Sequence, residues 1–153
     1  MATATELHHK VRERLGRVDQ MYTRGRQTIV AALAEAGSPI TIADLLDRAP
    51  KLTLSSAYRN LAMMEEAGIV RRLVHSAERG HYELAEDLTE HHHHLICREC
   101  GLIRDVTLDK RLERSLDAAI DRAVVSSGFR ADHHDIDVYG TCADCEPAST
   151  GDA

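Results

Sequence analysis

The 153-residue chain has no tryptophan and a single phenylalanine, so any core it builds is aliphatic. No apolar run approaches the roughly 18 residues that a membrane helix needs. The opening segment, Met1-Ala-Thr-Ala-Thr-Glu-Leu-His-His-Lys, lacks the charged-then-apolar order of a secretory signal. These absences lead us to expect a cytoplasmic protein with no membrane partner. What is present fits a soluble globular chain, with 43% apolar and 29% charged residues.

The formal net charge is −6, which argues against a nucleic-acid partner until its distribution is considered. Residues 1–82 carry 12 Lys and Arg against 9 Asp and Glu; residues 83–153 carry 7 against 16. A mildly basic half followed by an acidic half points to two tasks. Eight of the ten histidines lie between His75 and His134, and all four cysteines lie in the acidic half.

The charged segment Leu7–Arg17 reads as a short helix, and apolar periodicity and caps predict helices from Thr23 to about Ala36, over Ile42–Arg48 and from about Ser55 to Ala67. Gly37, Ala49-Pro50 and Gly68 punctuate them. Two strand-like runs, Ile69–His75 and His81–Ala85, flank a polar Gly-bearing turn and predict a hairpin. Helices followed by a hairpin give a winged helix-turn-helix order over residues 1–85. Beyond an acidic connector, residues 91–145 predict strands at His93–Cys97, Leu102–Val106 and His134–Gly140, with a helix over Asp109–Ser127. The expected class is α+β, a winged helix followed by a small α/β domain, with 146–153 as a disordered tail.

Cys97-x-x-Cys100 and Cys142-x-x-Cys145 share one spacing. A two-residue gap turns both thiolates toward one ion, and two such pairs complete a tetrahedral zinc shell. Disulfides would require an oxidising compartment. A thioredoxin-like redox pair would open a helix after a strand, and neither pair does. Such a closed shell leaves no open position, so no catalysis is assigned to it.

His91–His94 run directly into Leu95-Ile96-Cys97. If the segment is extended, alternation sends His91 and His93 to one face and His92 and His94 to the other, so one strand could feed two metal sites. A solvated linker is the alternative. Imidazole suits zinc, iron, nickel and copper alike and does not choose the metal. In the hairpin, His81 and Glu83 share a face; Glu83 is the oxygen-ligand candidate, with His81 second and His75 weaker. On the helix bearing Ser55–Ala67, Ala57, Leu61 and Met64 form the packing side. Ser55, Ser56, Tyr58 and Arg59 crowd the free N-terminal half, where a recognition helix meets the major groove.

With these residues in view, the sequence resembles the ferric uptake regulator family over about residues 20–145. The resemblance rests on Ser56-Ala57-Tyr58-Arg59-Asn60-Leu61, Glu65-Glu66-Ala67-Gly68-Ile69-Val70, Tyr82-Glu83-Leu84, the run from His91 to Gly101, and His134 eight residues before Cys142-x-x-Cys145. It implies a metal-responsive repressor of iron or zinc homeostasis genes, acting as a homodimer on operator DNA. It also implies structural zinc on Cys97, Cys100, Cys142 and Cys145. A regulatory hinge site with Fe2+ or Zn2+ would use Glu83, His92 and His94, with His81 as a substitute ligand. A dimerisation-domain site would use His91, His93, His134 and Glu113, or Asp109 in place of Glu113. Tyr58 and Arg59 match DNA-contacting positions.

The chain departs from the family pattern in two places. Gly37-Ser38-Pro39-Ile40-Thr41 holds no histidine where many members supply a hinge ligand, and Arg71 and Ala85 stand where many zinc-sensing members carry Asp and Cys. A peroxide-sensing repressor on the same scaffold is the second reading. A zinc hydrolase fits poorly, for there is no His-Glu-x-x-His helix, and a metal buffer would need no recognition helix.

Overall fold

The computed structural model describes residues 3–74 and 80–146. The expected hairpin turn over Ser76–Arg79, the weak ligand candidate His75 and nearly all of the expected tail lie outside the described residues. The chain divides into two units, Met1–His91 and His92–Ala153.

In the first unit, α1 spans Ala4–Arg17, starting three residues earlier than expected. The reason is a reciprocal cap: the Thr3 hydroxyl accepts from the Glu6 N–H, and the Glu6 carboxylate accepts from the Thr3 N–H. Leu7, Val11 and Leu15, spaced one helical turn apart, are buried on one stripe. α2 (Arg24–Ala36) is capped by Thr23 and ends at Gly37, whose φ of 61° suits glycine. α3 (Ile42–Arg48) opens on a second reciprocal cap, Thr41 with Asp44. Leu45 is fully buried, while Leu46, expected inside as well, is only half-buried.

α4 (Leu54–Glu66) is capped by Thr53, one residue ahead of the expected start. It buries Ala57, Leu61 and Met64 as the helical spacing predicts. A three-stranded antiparallel sheet closes the unit: β1 (Ile40–Thr41), β2 (Val70–Val74) and β3 (Gly80–Leu84), in the order β1-β3-β2. The register sets Ile40 opposite Tyr82 and Arg71 opposite Glu83. β1 was not expected, because two residues are too short for any periodicity to register. One aliphatic cluster joins Val11, Leu15, Ile29, Val30, Leu45, Leu61, Met64 and Ile69.

The second unit is a three-stranded sheet, order β5-β4-β6, and one helix. β4 (His93–Cys97) pairs antiparallel with β5 (Ile103–Val106) and parallel with β6 (Asp137–Gly140). β6 begins three residues later than expected, because its ladder starts at His94–Asp137 and β4 itself starts only at His93. α5 (Lys110–Val125) is capped by Asp109, whose carboxylate accepts from the N–H groups of Arg111 and Leu112 at 2.9 and 3.0 Å. Its expected apolar stripe is not buried within the chain: Leu116 and Ile120 are half-buried, Leu112 exposed. Leu95 and Val138 on the sheet are exposed as well. Among the described residues no helix is long and apolar enough to cross a membrane.

Candidate metal centres

The two knuckles close at the end of the β4–β6 ladder. Cys97 is the last residue of β4, and its N–H donates to the Leu102 carbonyl at 2.9 Å. Gly101, at φ 75°, turns the chain back, as the two-residue gap requires. The Arg98 N–H donates to the Gly140 carbonyl at 2.9 Å and ties the second knuckle to the first. All four cysteines are free thiols.

One sulfur from each cysteine lies within 4.8 Å of the other three, with Cys100 Sγ and Cys142 Sγ 3.7 Å apart. A tetrahedron with metal–sulfur bonds of about 2.3 Å has edges of about 3.8 Å, so the four thiols fit a zinc ion. Their protonation behaviour agrees. Hydrogen bonding from the Cys100 backbone, then from Cys142, holds the Cys97 thiol down to about 6. The neighbouring Cys142 and Cys100 thiols push Cys145 up to about 12. Four thiols crowded this closely ionise together only around a cation.

The histidine run splits between two donor sets in the second unit. His93, 1% exposed, has Nε2 3.0 Å from Glu113 Oε1, in the first turn of α5. His134 Nε2 stands 3.4 Å from the other oxygen of Glu113, and its Nδ1 lies 3.1 Å from Asp117. His93, Glu113 and His134 offer donor atoms within 4.8 Å of one another. Asp109, the alternative to Glu113, is instead the helix cap. His91 pairs with Glu86, in the 3-10 turn Glu86–Leu88 of the first unit.

His94, also 1% exposed, stands between two carboxylates, opposite Asp105 on β5 and Asp137 on β6. Its Nδ1 lies 3.2 Å from Asp137 Oδ1. A carboxylate accepts, so a neutral His94 would hold its proton on Nδ1 and leave the Nε2 lone pair for a metal. His92 reaches the same group: its Nε2 is 3.8 Å from Asp105, and its ring meets that of His94 edge-on at 5.2 Å. His92, His94 and Asp105 make a mixed nitrogen and oxygen set suited to a divalent transition metal.

Sequence reasoning missed Asp105, Asp117 and Asp137. The closure of the first knuckle fixes the β4–β5 register, so counting back from it would have found Asp105 opposite His94. Asp117 lies one turn beyond Glu113 on the same helix face. Asp137 depends on a parallel ladder that no local pattern announces.

In the first unit, Glu83 is 7% exposed on β3, and Arg71 Nε lies 3.9 Å from its Oε1. His81, two residues earlier on the strand, is half-buried. On α4, Ser55, Tyr58 and Arg59 are exposed, Tyr58 by 49%. Ser56 is half-buried, and its hydroxyl accepts from Asn60 at 3.3 Å.

Residues 17–139 match the sequence profile of the Ferric uptake regulator family. A ferric uptake regulation protein of Legionella pneumophila is 35% identical over 67% of this chain and 70% of its own length. The peroxide operon regulator of Bacillus subtilis is 29% identical over 63% of this chain, and that match spans 61% of the regulator's length. Among solved structures, the Helicobacter pylori ferric uptake regulator superposes with a TM-score of 0.73 at 22% identity, covering 97% of each chain.

Proposed function

The chain belongs to the ferric uptake regulator family, whose members are metal-responsive DNA-binding repressors and not enzymes, and on that premise we propose that it binds operator DNA as a homodimer when a divalent metal occupies its sensory site. The regulated genes are those of iron or zinc homeostasis, and the protein works in the cytoplasm. The observation that carries this reading is the separation of donor chemistries. Four thiols form one set, mixed nitrogen and oxygen donors form others, and an exposed Tyr58–Arg59 surface lies on a capped helix. A metal buffer has no use for that helix.

Cys97, Cys100, Cys142 and Cys145 hold structural zinc. We take Glu83, His92 and His94 as the sensory ligands, with Asp105 beside the two histidines and His81 in reserve. His91 joins His93, Glu113 and His134 in the dimerisation-domain site. The half-buried apolar side of α5 and the exposed Leu95 and Val138 supply the surface that a second copy covers. A bound divalent ion adds bonds that favour the DNA-competent arrangement, and it shifts that equilibrium only by its differential affinity for the two forms.

The test is operator binding by chelator-stripped protein that retains its structural zinc, titrated separately with Fe2+, Mn2+ and Zn2+. Metal is expected to tighten binding at least about tenfold, the middle of the usual coupling range. Equal binding with and without every metal would remove the regulator reading. The match to a peroxide operon regulator keeps a second outcome in play. Hydrogen peroxide would abolish DNA binding by the iron-loaded form and add an oxygen to a sensory histidine.

Two substitutions probe the parts. Arg59→Ala is expected to weaken operator binding and to reduce the slope of log K against log salt by about 1, the signature of one lost phosphate contact. Wild-type affinity and slope in Arg59→Ala with Tyr58→Phe would take α4 out of the interface. Asp137→Asn is expected to weaken metal binding by His92 and His94 about tenfold, since partners that orient a ligating histidine are typically worth that much. Chelator competition reads it out, with four-cysteine zinc content as the unchanged control.

A further inference from the structure

We propose that Arg71 is a built-in counter-ion for Glu83 that competes with the sensed metal and so sets the concentration at which the protein responds. The inference deepens the sensory-site reading above and rests on Glu83 being a ligand there.

The β2–β3 register places Arg71 directly opposite Glu83, on the same face of the sheet. The Arg71 Nε to Glu83 Oε1 distance is 3.9 Å, and the two side chains are 34% and 8% exposed. A carboxylate so buried is costly unless a positive charge stands beside it. The guanidinium reaches in from the edge of solvent, while Glu83 stays inside. Arg72, the next residue, is turned the other way: its Nε lies where a Cβ on Gly80 would meet it at 2.7 Å. The charge facing Glu83 along β2 is therefore that of Arg71.

Arginine keeps its proton at every physiological pH, so the pairing does not lapse as a lysine's or histidine's could. Two effects follow, and both lower metal affinity. In the metal-free protein, Arg71 stabilises the ionised Glu83 and so deepens the state that metal must displace. In the loaded protein, a divalent ion on Glu83 stands near a fixed positive charge and is repelled by it. Neither effect alters which donor atoms are present. Arg71 tunes the threshold of the sensor and leaves its ligand set alone.

The experiment uses the full chain with its four-cysteine site loaded with zinc, and measures Co2+ and Zn2+ affinity by chelator competition in the absence of DNA. Arg71→Gln, which keeps the length and polarity of the side chain, is expected to tighten both metals about tenfold, equivalent to about 1.4 kcal/mol. Arg71→Lys keeps the charge and should stay near wild type. Glu83→Ala should weaken binding, and adding Arg71→Gln to it should change nothing further, because Arg71 acts through Glu83.

Unchanged or weaker affinity in Arg71→Gln, with Glu83→Ala still impaired, would overturn the inference and leave the sensory site standing. Tightening of the same size in the Glu83→Ala background would also overturn it, by reducing Arg71 to a general charge effect. So would tightening in Arg71→Lys as large as that of glutamine. If Glu83→Ala binds metal as wild type does, the sensory-site reading itself falls, and the inference with it.

Discussion

Cys97→Ser is expected to cost the protein about one zinc ion per chain and the cooperative unfolding of its second unit, because one tetrahedral shell needs all four thiolates. The size of the effect follows from how little else holds that unit together. No residue of α5 is fully buried, and among the described residues the buried apolar side chains of the unit are Ile96, Cys97 and Ile103. A unit of that size with so small a core requires a staple. Structural zinc of this kind contributes folding free energy directly, on the order of 10 kcal/mol in small zinc domains at neutral pH. Metal analysis and thermal unfolding by near-UV circular dichroism check the prediction. Unchanged zinc content together with unchanged melting would remove the assignment.

On the acid side the same site carries a pH dependence whose direction follows from Cys97. In the metal-free chain Cys97 is an acid whose folded value, about 6, lies below its ordinary 9. Its contribution to stability is complete above 9 and is lost as the pH falls through 6. Zinc retention runs the same way, since protons compete for every thiolate. Acid should therefore release zinc and loosen the second unit together.

The helices of the first unit were legible because their boundaries are local chemistry. Thr23 and Thr41 cap, and Gly37 and Gly68 stop, with side chains or backbone angles that act within a few residues. Ala57, Leu61 and Met64 were legible as a buried stripe for the same reason. Thr3 with Glu6 is equally local, but the helix was expected only over the charged segment from Leu7 and the cap ahead of it went unread. β1 and the true start of β6 were not legible, since each exists only where a distant strand offers hydrogen bonds. In the candidate site, cysteine spacing and histidine alternation are local and could be read. Asp105, Asp117 and Asp137 enter through cross-strand register or helix packing, so their roles depended on partners that the chain reaches only after folding. Arg71 could be read as a departure from the zinc-sensing pattern, but not as the neighbour of Glu83.

Glu83→Ala combined with His92→Ala is expected to leave a folded, zinc-containing dimer whose DNA binding no longer responds to added metal. Mixed oxygen and nitrogen donors release a divalent ion more readily than four thiolates do, and a sensor must exchange with its surroundings. Glu83 belongs to the unit that carries α4, whereas His92, His94 and Asp105 belong to the unit that carries the zinc knuckles. An ion bound by both would couple sensing to the DNA-binding helix, and an ion bound within one unit lacks that lever. Ligating imidazoles must be neutral, so the response should also fade toward acid pH. The competing assignment places sensing on His93, Glu113 and His134, which converge within the second unit. It draws support from the missing histidine before α3, in Gly37–Thr41. Operator binding with and without metal, measured on the double variant and on His93→Ala in parallel, separates the two. Loss of the response in the double variant, with its retention in His93→Ala, places sensing on Glu83, His92 and His94. A response that survives the double substitution and vanishes in His93→Ala moves it to the dimerisation domain, where the signal would have to reach DNA through the pairing of two copies.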